Sequence, residues 1–272
     1  MRAVDRMAHA WVPAVRRSVL CACLIASLPL GAAVPVPDAT TAKPIAVGRA
    51  EYAVSWNGIP AAAATVEVRR SVQAGEPVYR VEAAMRTNKF VDLFFRLRAR
   101  ADSSFTSADM VPLGFRWDRK ENSKHSITDV AFSRSAQEAT GIHRRGNDTK
   151  VLEVRAPGIL DPITAIFRAM VQPIKVGDLL HYEVFTGEAR YRVELAITGE
   201  EKVHVAGGTY QAWRVDPRLW KIGKGVDERL RRATMWVSKD PAHILLRIRS
   251  EVFIGAVTCE LVKLQDVDSS TS

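Results

Sequence analysis

The chain has 272 residues, of which 47% are hydrophobic and 25% charged, and its formal net charge is +9 at pH 7. This composition is typical of a globular protein and excludes a largely disordered chain. The 16 Gly and 13 Pro exclude a collagen-like or Pro-rich protein. The basic charge is compatible with an anionic partner, but it does not by itself define a binding site.

The N-terminus has the three parts of a secretory signal peptide. Basic residues up to Arg17 precede an apolar run over residues 19–30, and small residues up to Ala33 follow it. The run is shorter than the ~20 apolar residues that a membrane span needs, although an uncleaved anchor is the alternative. We therefore predict cleavage of residues 1–33 near Ala33 and a periplasmic mature chain with no transmembrane span. Without these residues the formal charge is about +6.

Residues that could carry catalysis or bind a metal show no local motif. Cleavage of the signal peptide leaves Cys259 as the single cysteine, which excludes an intrachain disulfide, and its alternating apolar surroundings favour a buried side chain over a nucleophile. The HExxH, CxxC, GxSxG, P-loop and GxGxxG patterns are all missing from the sequence. We expect no catalytic residue, metal site or cofactor, while a hydrolase with a dispersed site stays an alternative.

Short segments of alternating polarity follow one another through the mature chain. They are separated by turn residues at intervals of about 8–12 residues, the pattern of an antiparallel barrel, sandwich or roll. Turns between them are predicted at Asn57-Gly58, Gly199, Gly207-Gly208 and Asp240-Pro241. The sequence thus predicts an all-β domain over residues 50–266, a flexible lead-in over 34–49 and a disordered tail over 267–272.

One segment has helical periodicity. Asp161 is suited to the N-cap and Pro162 to the first helical position. An apolar stripe follows at Ile163, Ile166, Phe167 and Met170. We expect this helix to pack its stripe on the concave face of the sheet, with Phe167 buried.

Arginines occupy alternating strand positions. Arg96, Arg98 and Arg100 share one face, opposite the apolar side chains between them. The same spacing recurs at Arg190 and Arg192 and at Arg247 and Arg249, and a further basic cluster contains Arg229, Arg231 and Arg232. If these strands are neighbours, the arginines form a basic stripe suited to phospholipid, lipopolysaccharide or an acidic glycan. The alternative is a solvated outer face with Glu188, Glu194 and Glu251 as cross-strand partners.

Several motifs resemble those of the DUF-3108 family of exported bacterial proteins. They are Tyr52-x-x-x-Trp56-x-Gly58, the Asp161-Pro162 helix with Phe167, Gly207-Gly208-Thr209-Tyr210, and the Trp236-x-Ser238-x-Asp240 hairpin. The resemblance covers residues 50–265. It implies a long antiparallel sheet curled into a spiral or half-barrel around one central α-helix. It implies no activity and no catalytic residue.

We therefore predict a non-enzymatic periplasmic envelope protein that binds a lipid, an acyl chain or an envelope polymer. The alternative is a protein-interaction module in outer-membrane or peptidoglycan assembly. A nucleic-acid partner is not expected, because a signal peptide directs the chain away from nucleic acid.

Overall fold

The computed structural model describes residues 45, 47–133, 137–222, 225–226, 233–240, 243–252 and 255–266. The predicted signal peptide, the predicted tail and the basic cluster Arg229, Arg231 and Arg232 lie outside the described residues.

The described residues form fifteen strands and one α-helix. The strands are β1 (Gly48–Trp56), β2 (Ile59–Gln73), β3 (Glu76–Thr87), β4 (Leu97–Thr106), β5 (Pro112–Glu121), β6 (Lys124–Phe132), β7 (Glu138–Arg145), β8 (Asp148–Arg155), β9 (Leu179–Phe185), β10 (Arg190–Val205), β11 (Gly208–Lys221), β12 (Gly225–Val226), β13 (Ala233–Ser238), β14 (Leu245–Glu251) and β15 (Ala256–Asp266). The helix α1 (Pro162–Val171) follows β8, and a 3₁₀ turn (Val91–Leu93) lies between β3 and β4.

All of the strands belong to one antiparallel sheet. Its order is β8-β7-β6-β5-β4-β3-β2-β1-β15-β14-β13-β11-β10-β9, and β12 pairs with β11. Within the described residues β8 and β9 do not pair with each other, so the sheet is open. The predicted fold class, a long antiparallel sheet curled around one helix, is therefore confirmed.

The inner face of the sheet carries the core because apolar residues recur at every second position. Strand register aligns Tyr52, Ala64, Met85 and Ala99 across four adjacent strands on this face. Buried side chains form one cluster around Phe105, Phe115, Ile159, Ile163 and Phe185 and a second around Val54, Leu97, Leu246, Cys259 and Leu261. The core thus follows the inside of the curl.

The helix begins as the sequence predicts. The Asp161 carboxylate accepts hydrogen bonds from the backbone N–H groups of Ile163 (2.9 Å) and Thr164 (3.0 Å) and from the Ser103 hydroxyl of β4 (3.1 Å). Complete burial raises the pKa of Asp161, and these hydrogen bonds oppose that rise. The cap therefore also ties the helix to the inner face of the sheet.

Phe167 packs on the core, as predicted, but it is only partly buried. Its side chain is half-buried, with its ring centroid 5.9 Å from that of Phe105. The sheet-facing positions include Ala165 and Ala169, whose small side chains allow the helix to approach the strands closely. The helix consequently has small buried side chains beside its apolar stripe, while Phe167 of the stripe contacts Phe105.

The curl of the sheet depends on a close backbone approach. The turn between β9 and β10 packs on the inner face of β6 and β7, where a Cβ atom on Gly141 would lie 2.5 Å from the Gly187 Cα atom. A side chain at either glycine would separate these surfaces.

Two boundaries differ from the sequence-based prediction. Gly199 is not a turn, because β10 continues through it with a bulge between Ile197 and Gly199. A single extra residue can be absorbed into a strand in this way without ending it. At the N-terminus β1 already begins at Gly48, and Ile45 is buried in the core, so ordered structure starts inside the expected lead-in.

Candidate anion-binding site

The predicted arginine pattern is divided among strands that are not neighbours. β4 is separated from β14 by four strands, and β14 from β10 by two. The condition for one continuous stripe is therefore not met. Sequence spacing predicts which residues share a strand face, whereas strand order decides which strands lie side by side.

The arginines of β10 and β14 are largely engaged with local partners. Arg190 donates to Glu183 over 2.6 Å, and Arg247 donates to Glu260 over 2.5 Å and to the backbone carbonyl of His204 over 2.8 Å. Arg192 is half-buried and Arg249 is exposed. The carboxylates that pair here differ from the expected Glu188, Glu194 and Glu251; Glu194, for instance, accepts from Arg218 over 2.7 Å.

The alternation in β4 is as predicted. Leu97 and Ala101 are buried on the inner face, while Arg96 and Arg100 are exposed. Arg100 forms ion pairs with Glu82 (2.7 Å) and Asp102 (2.9 Å), and these carboxylates raise the pKa of its guanidinium. Its charge is thereby balanced by fixed carboxylates, so Arg100 contributes little to an anion site.

Arg98 makes a bidentate pair with Asp92. Its guanidinium nitrogens lie 2.6 and 3.0 Å from the two carboxylate oxygens. The Thr87 hydroxyl donates a further hydrogen bond to Asp92 over 2.5 Å. The hydrogen bond from Arg98 lowers the pKa of Asp92 to about 2, against partial burial, which would raise it.

The strand register forms a basic row on the outer face. Arg86 of β3 is directly opposite Arg98 of β4, Arg98 is opposite Lys120 of β5, and Lys120 is opposite His125 of β6. Directly opposed like charges destabilise a sheet. Asp92 neutralises Arg98, and Asp118 lies 2.8 Å from the imidazole of His125. Among the described residues no carboxylate pairs with Arg86 or Lys120.

A shallow groove of about 780 Å³ lies along the basic row. Its floor includes the alanines Ala53, Ala63 and Ala84, and its rim includes Arg86 and Lys120. Small side chains leave room above the sheet. The lining also includes the carboxylates Glu51 and Asp118, which pair with Arg49 and His125, so Arg86 and Lys120 are left as its cations without an ion pair among the described residues. This chemistry fits a molecule that has an anionic group next to an apolar portion.

The basic row is only partly visible in the sequence. Arg98 belongs to the predicted alternation, but Arg86 and Lys120 have no second cation two residues away in their own strands. Only the β3–β4–β5 register aligns them with Arg98. The alternation of charged and small residues in β3 indicates an outer face but gives no information about its neighbours.

The remaining motif residues have structural roles. Tyr52 donates from its hydroxyl to the Leu245 carbonyl over 3.1 Å, and Trp236 donates from its indole N–H to Glu201 over 2.6 Å. The backbone carbonyl of Asp240 accepts from the His243 N–H over 3.1 Å. Three others maintain turns or packing: Trp56 packs on the core, Gly58 has a φ of 82° in the β1–β2 turn, and Pro162 opens the helix.

Two features do not occur among the described residues. In that part of the chain, no helix combines the length and apolar character needed to cross a membrane. The same residues bring no three His, Cys, Asp or Glu side chains together in a group that could hold a metal ion.

Comparisons with known proteins place the fold. A family model described as "Protein of unknown function (DUF3108)" matches residues 51–262. A solved structure with a similar fold is that of a beta-barrel-like protein of domain of unknown function DUF1849 from Brucella abortus, with a TM-score of 0.56 and 12% sequence identity. The alignment covers 84% of this chain and 100% of that chain, and it supports the fold alone. The comparison with curated proteins finds no matching relative.

Proposed function

We propose that this chain, which belongs to the DUF3108 family, acts in the periplasm as a non-enzymatic binding protein for an anionic envelope lipid. Export is supported by the signal peptide predicted over residues 1–33. The observation that carries the binding role is the basic row beside the alanine-floored groove. Arg86 and Lys120 would contact the anionic headgroup, and the alanine floor would accommodate the adjoining apolar portion.

The charge balance of the groove supports this proposal. Two cations of the row have no ion-pair partner among the described residues, although opposed cations repel each other across neighbouring strands. They flank Arg98, which Asp92 already neutralises, and an anion held over this part of the row would gain charge-assisted hydrogen bonds from both Arg86 and Lys120. An acidic envelope polymer also carries anionic groups, but it has no apolar portion that would contact the alanine floor.

The test uses a short-chain phosphatidylglycerol below its micelle concentration, so that binding reports the groove rather than a membrane. We expect binding by calorimetry that weakens as salt rises, because exposed charges are screened. Arg86→Gln with Lys120→Gln should weaken it about 30-fold, at roughly 1 kcal/mol for each cation.

A matched control keeps the total charge change the same. Arg249→Gln with Arg155→Gln also removes two exposed arginines, but from β14 and β8, away from the groove. This variant should bind like the wild type. The proposal is refuted if the two double variants lose affinity equally, or if the wild type does not distinguish phosphatidylglycerol from short-chain phosphatidylcholine.

A further inference from the structure

An exposed apolar tip lies at the end of the sheet next to the basic row. It consists of Phe90, Leu93 and Phe94 in the β3–β4 connection and Ile59 at the start of β2. Their exposed fractions are 61%, 75%, 39% and 52%. The rings of Phe90 and Phe94 pack edge-to-face with their centroids 5.9 Å apart. A cluster of large apolar side chains in water indicates a surface that becomes covered by a partner or a membrane.

The apolar tip is held on a rigid base. Val91 and Phe95, which are chain neighbours of Phe90 and Phe94, are each only 1% exposed and anchor the connection in the core. The Asn88 side chain accepts from the Val91 N–H over 2.9 Å and donates to the Pro60 carbonyl over 2.6 Å. The second bond fastens the β3–β4 connection to the chain next to Ile59, so the fold presents all four side chains together.

The ion pair of Arg98 with Asp92 also supports the tip. Asp92 lies within the 3₁₀ turn between Phe90 and Leu93, and Arg98 holds it from the first residues of β4. This contact neutralises Asp92, which is the only carboxylate in the connection between β3 and β4. No exposed negative charge therefore interrupts the apolar surface.

A basic collar surrounds the tip. We define it as the five exposed cations nearest to it along the chain and across the strands: Arg86, Lys89, Arg96, Lys120 and Lys124. Reciprocal hydrogen bonds of 2.8 Å join Arg96 to Asn122, which brings the β5–β6 turn with its Lys124 beside the connection. No carboxylate of the described residues forms an ion pair with these five cations.

We propose that the apolar tip and the basic collar dock the protein on the surface of an anionic lipid bilayer. Phe90, Leu93 and Phe94 enter the boundary between headgroups and acyl chains, and the collar contacts the anionic headgroups. Interfacial binding of this kind depends on apolar burial and on attraction of cations to anionic lipid together. The proposal rests on the proposed function for its choice of an anionic lipid, and it adds a membrane as the place where the groove meets its ligand.

A bilayer suits this surface better than a protein partner does. The tip presents large aromatic and aliphatic side chains, so a folded partner would need a complementary apolar pocket to cover them. A bilayer interface deforms around such a tip and accepts aromatic rings at headgroup level. The one-sided charge of the collar likewise matches an extended anionic surface.

The experiment measures sedimentation with vesicles of phosphatidylglycerol and phosphatidylcholine in equal amounts. A triple variant, Phe90→Ser, Leu93→Ser and Phe94→Ser, removes the tip side chains of the β3–β4 connection and leaves Ile59 and the buried Val91 and Phe95 in place. We expect its affinity for the vesicles to fall at least about 50-fold, because each serine buries less apolar surface in the bilayer than the side chain that it replaces. The control, Val151→Ser with Leu152→Ser, alters exposed apolar residues on β8 and should bind like the wild type.

A second readout reports the depth of the tip. Leu93→Cys carrying an environment-sensitive fluorophore should brighten on vesicles and be quenched by lipids brominated near the headgroup. The native Cys259 is buried and should not be labelled in the folded protein. The same fluorophore at Val151→Cys should show neither change.

The outcomes separate this inference from the proposed function. Equal vesicle binding by the wild type and the tip variant would overturn membrane docking, as would a wild type that binds short-chain phosphatidylglycerol but not vesicles. Tip-dependent binding of vesicles without any binding of the short-chain lipid would refute the groove and leave docking in place. Equal binding of the wild type to pure phosphatidylcholine vesicles would show that the collar's charge plays no part in docking, which also overturns the inference.

Discussion

Asp92→Asn removes the charge of the Asp92–Arg98 pair while keeping the shape of the side chain. Asp92 has only 14% of its side chain exposed, whereas 42% of the Arg98 side chain is exposed. The pair is thus half-open to solvent, which screens its attraction. The lowered pKa of Asp92 would correspond to more than 2 kcal/mol in a buried pair, and we discount it to about 1 kcal/mol for screening.

The stabilisation by the Asp92–Arg98 pair depends on pH. The folded-state pKa of Asp92 lies at about 2, below the unfolded value of 3.8. The folded state therefore binds its proton more weakly, and the ionised pair stabilises the protein fully above about pH 4. This stabilisation disappears as the pH falls from about 4 towards 2. The difference in unfolding free energy between wild type and Asp92→Asn should shrink over the same interval.

Urea unfolding at several pH values measures this difference. Asp148→Asn is the matched control, because Asp148 is exposed and forms no ion pair with any described residue; its effect should stay within about 0.5 kcal/mol. A difference for Asp92→Asn that is constant from pH 7 to pH 2 would refute the electrostatic reasoning. Hydrogen exchange should also become faster in the connection over residues 88–96, since Arg98 no longer holds it as firmly.

Two further predictions concern packing. Gly187→Ala should cost about 3 kcal/mol in thermal or urea unfolding, because its Cβ would lie 2.4 Å from the Thr128 methyl group, whereas Gly146→Ala, which faces open space, should cost about 1 kcal/mol. Equal losses at the two glycines would mean that the turn does not press on the sheet. Phe167→Ala should cost about 2 kcal/mol, less than the ~3–5 kcal/mol of a fully buried ring, and a larger loss would show that the ring is better packed than its half-buried position indicates.

The sequence by itself determined the features that depend on local geometry. Alternation places Leu97 inward and Arg96 outward because successive strand residues point to opposite faces, wherever the strand lies. The cap at Asp161 likewise depends on a carboxylate reaching amides two and three residues ahead. The all-β class follows from the same period repeated through the chain.

Only the tertiary structure decided which side chains become neighbours. Strand order separates Arg98 from Arg247, although both have the predicted spacing, and strand register instead aligns Arg98 with Arg86 and Lys120. The tertiary structure also decides which apolar residues are exposed. Phe90 and Phe95 are the same residue type five positions apart, yet Phe90 is exposed and Phe95 is buried in the core. The physical reason is that burial, pairing and repulsion depend on distances between segments far apart in the chain, and these distances exist only once the sheet has formed.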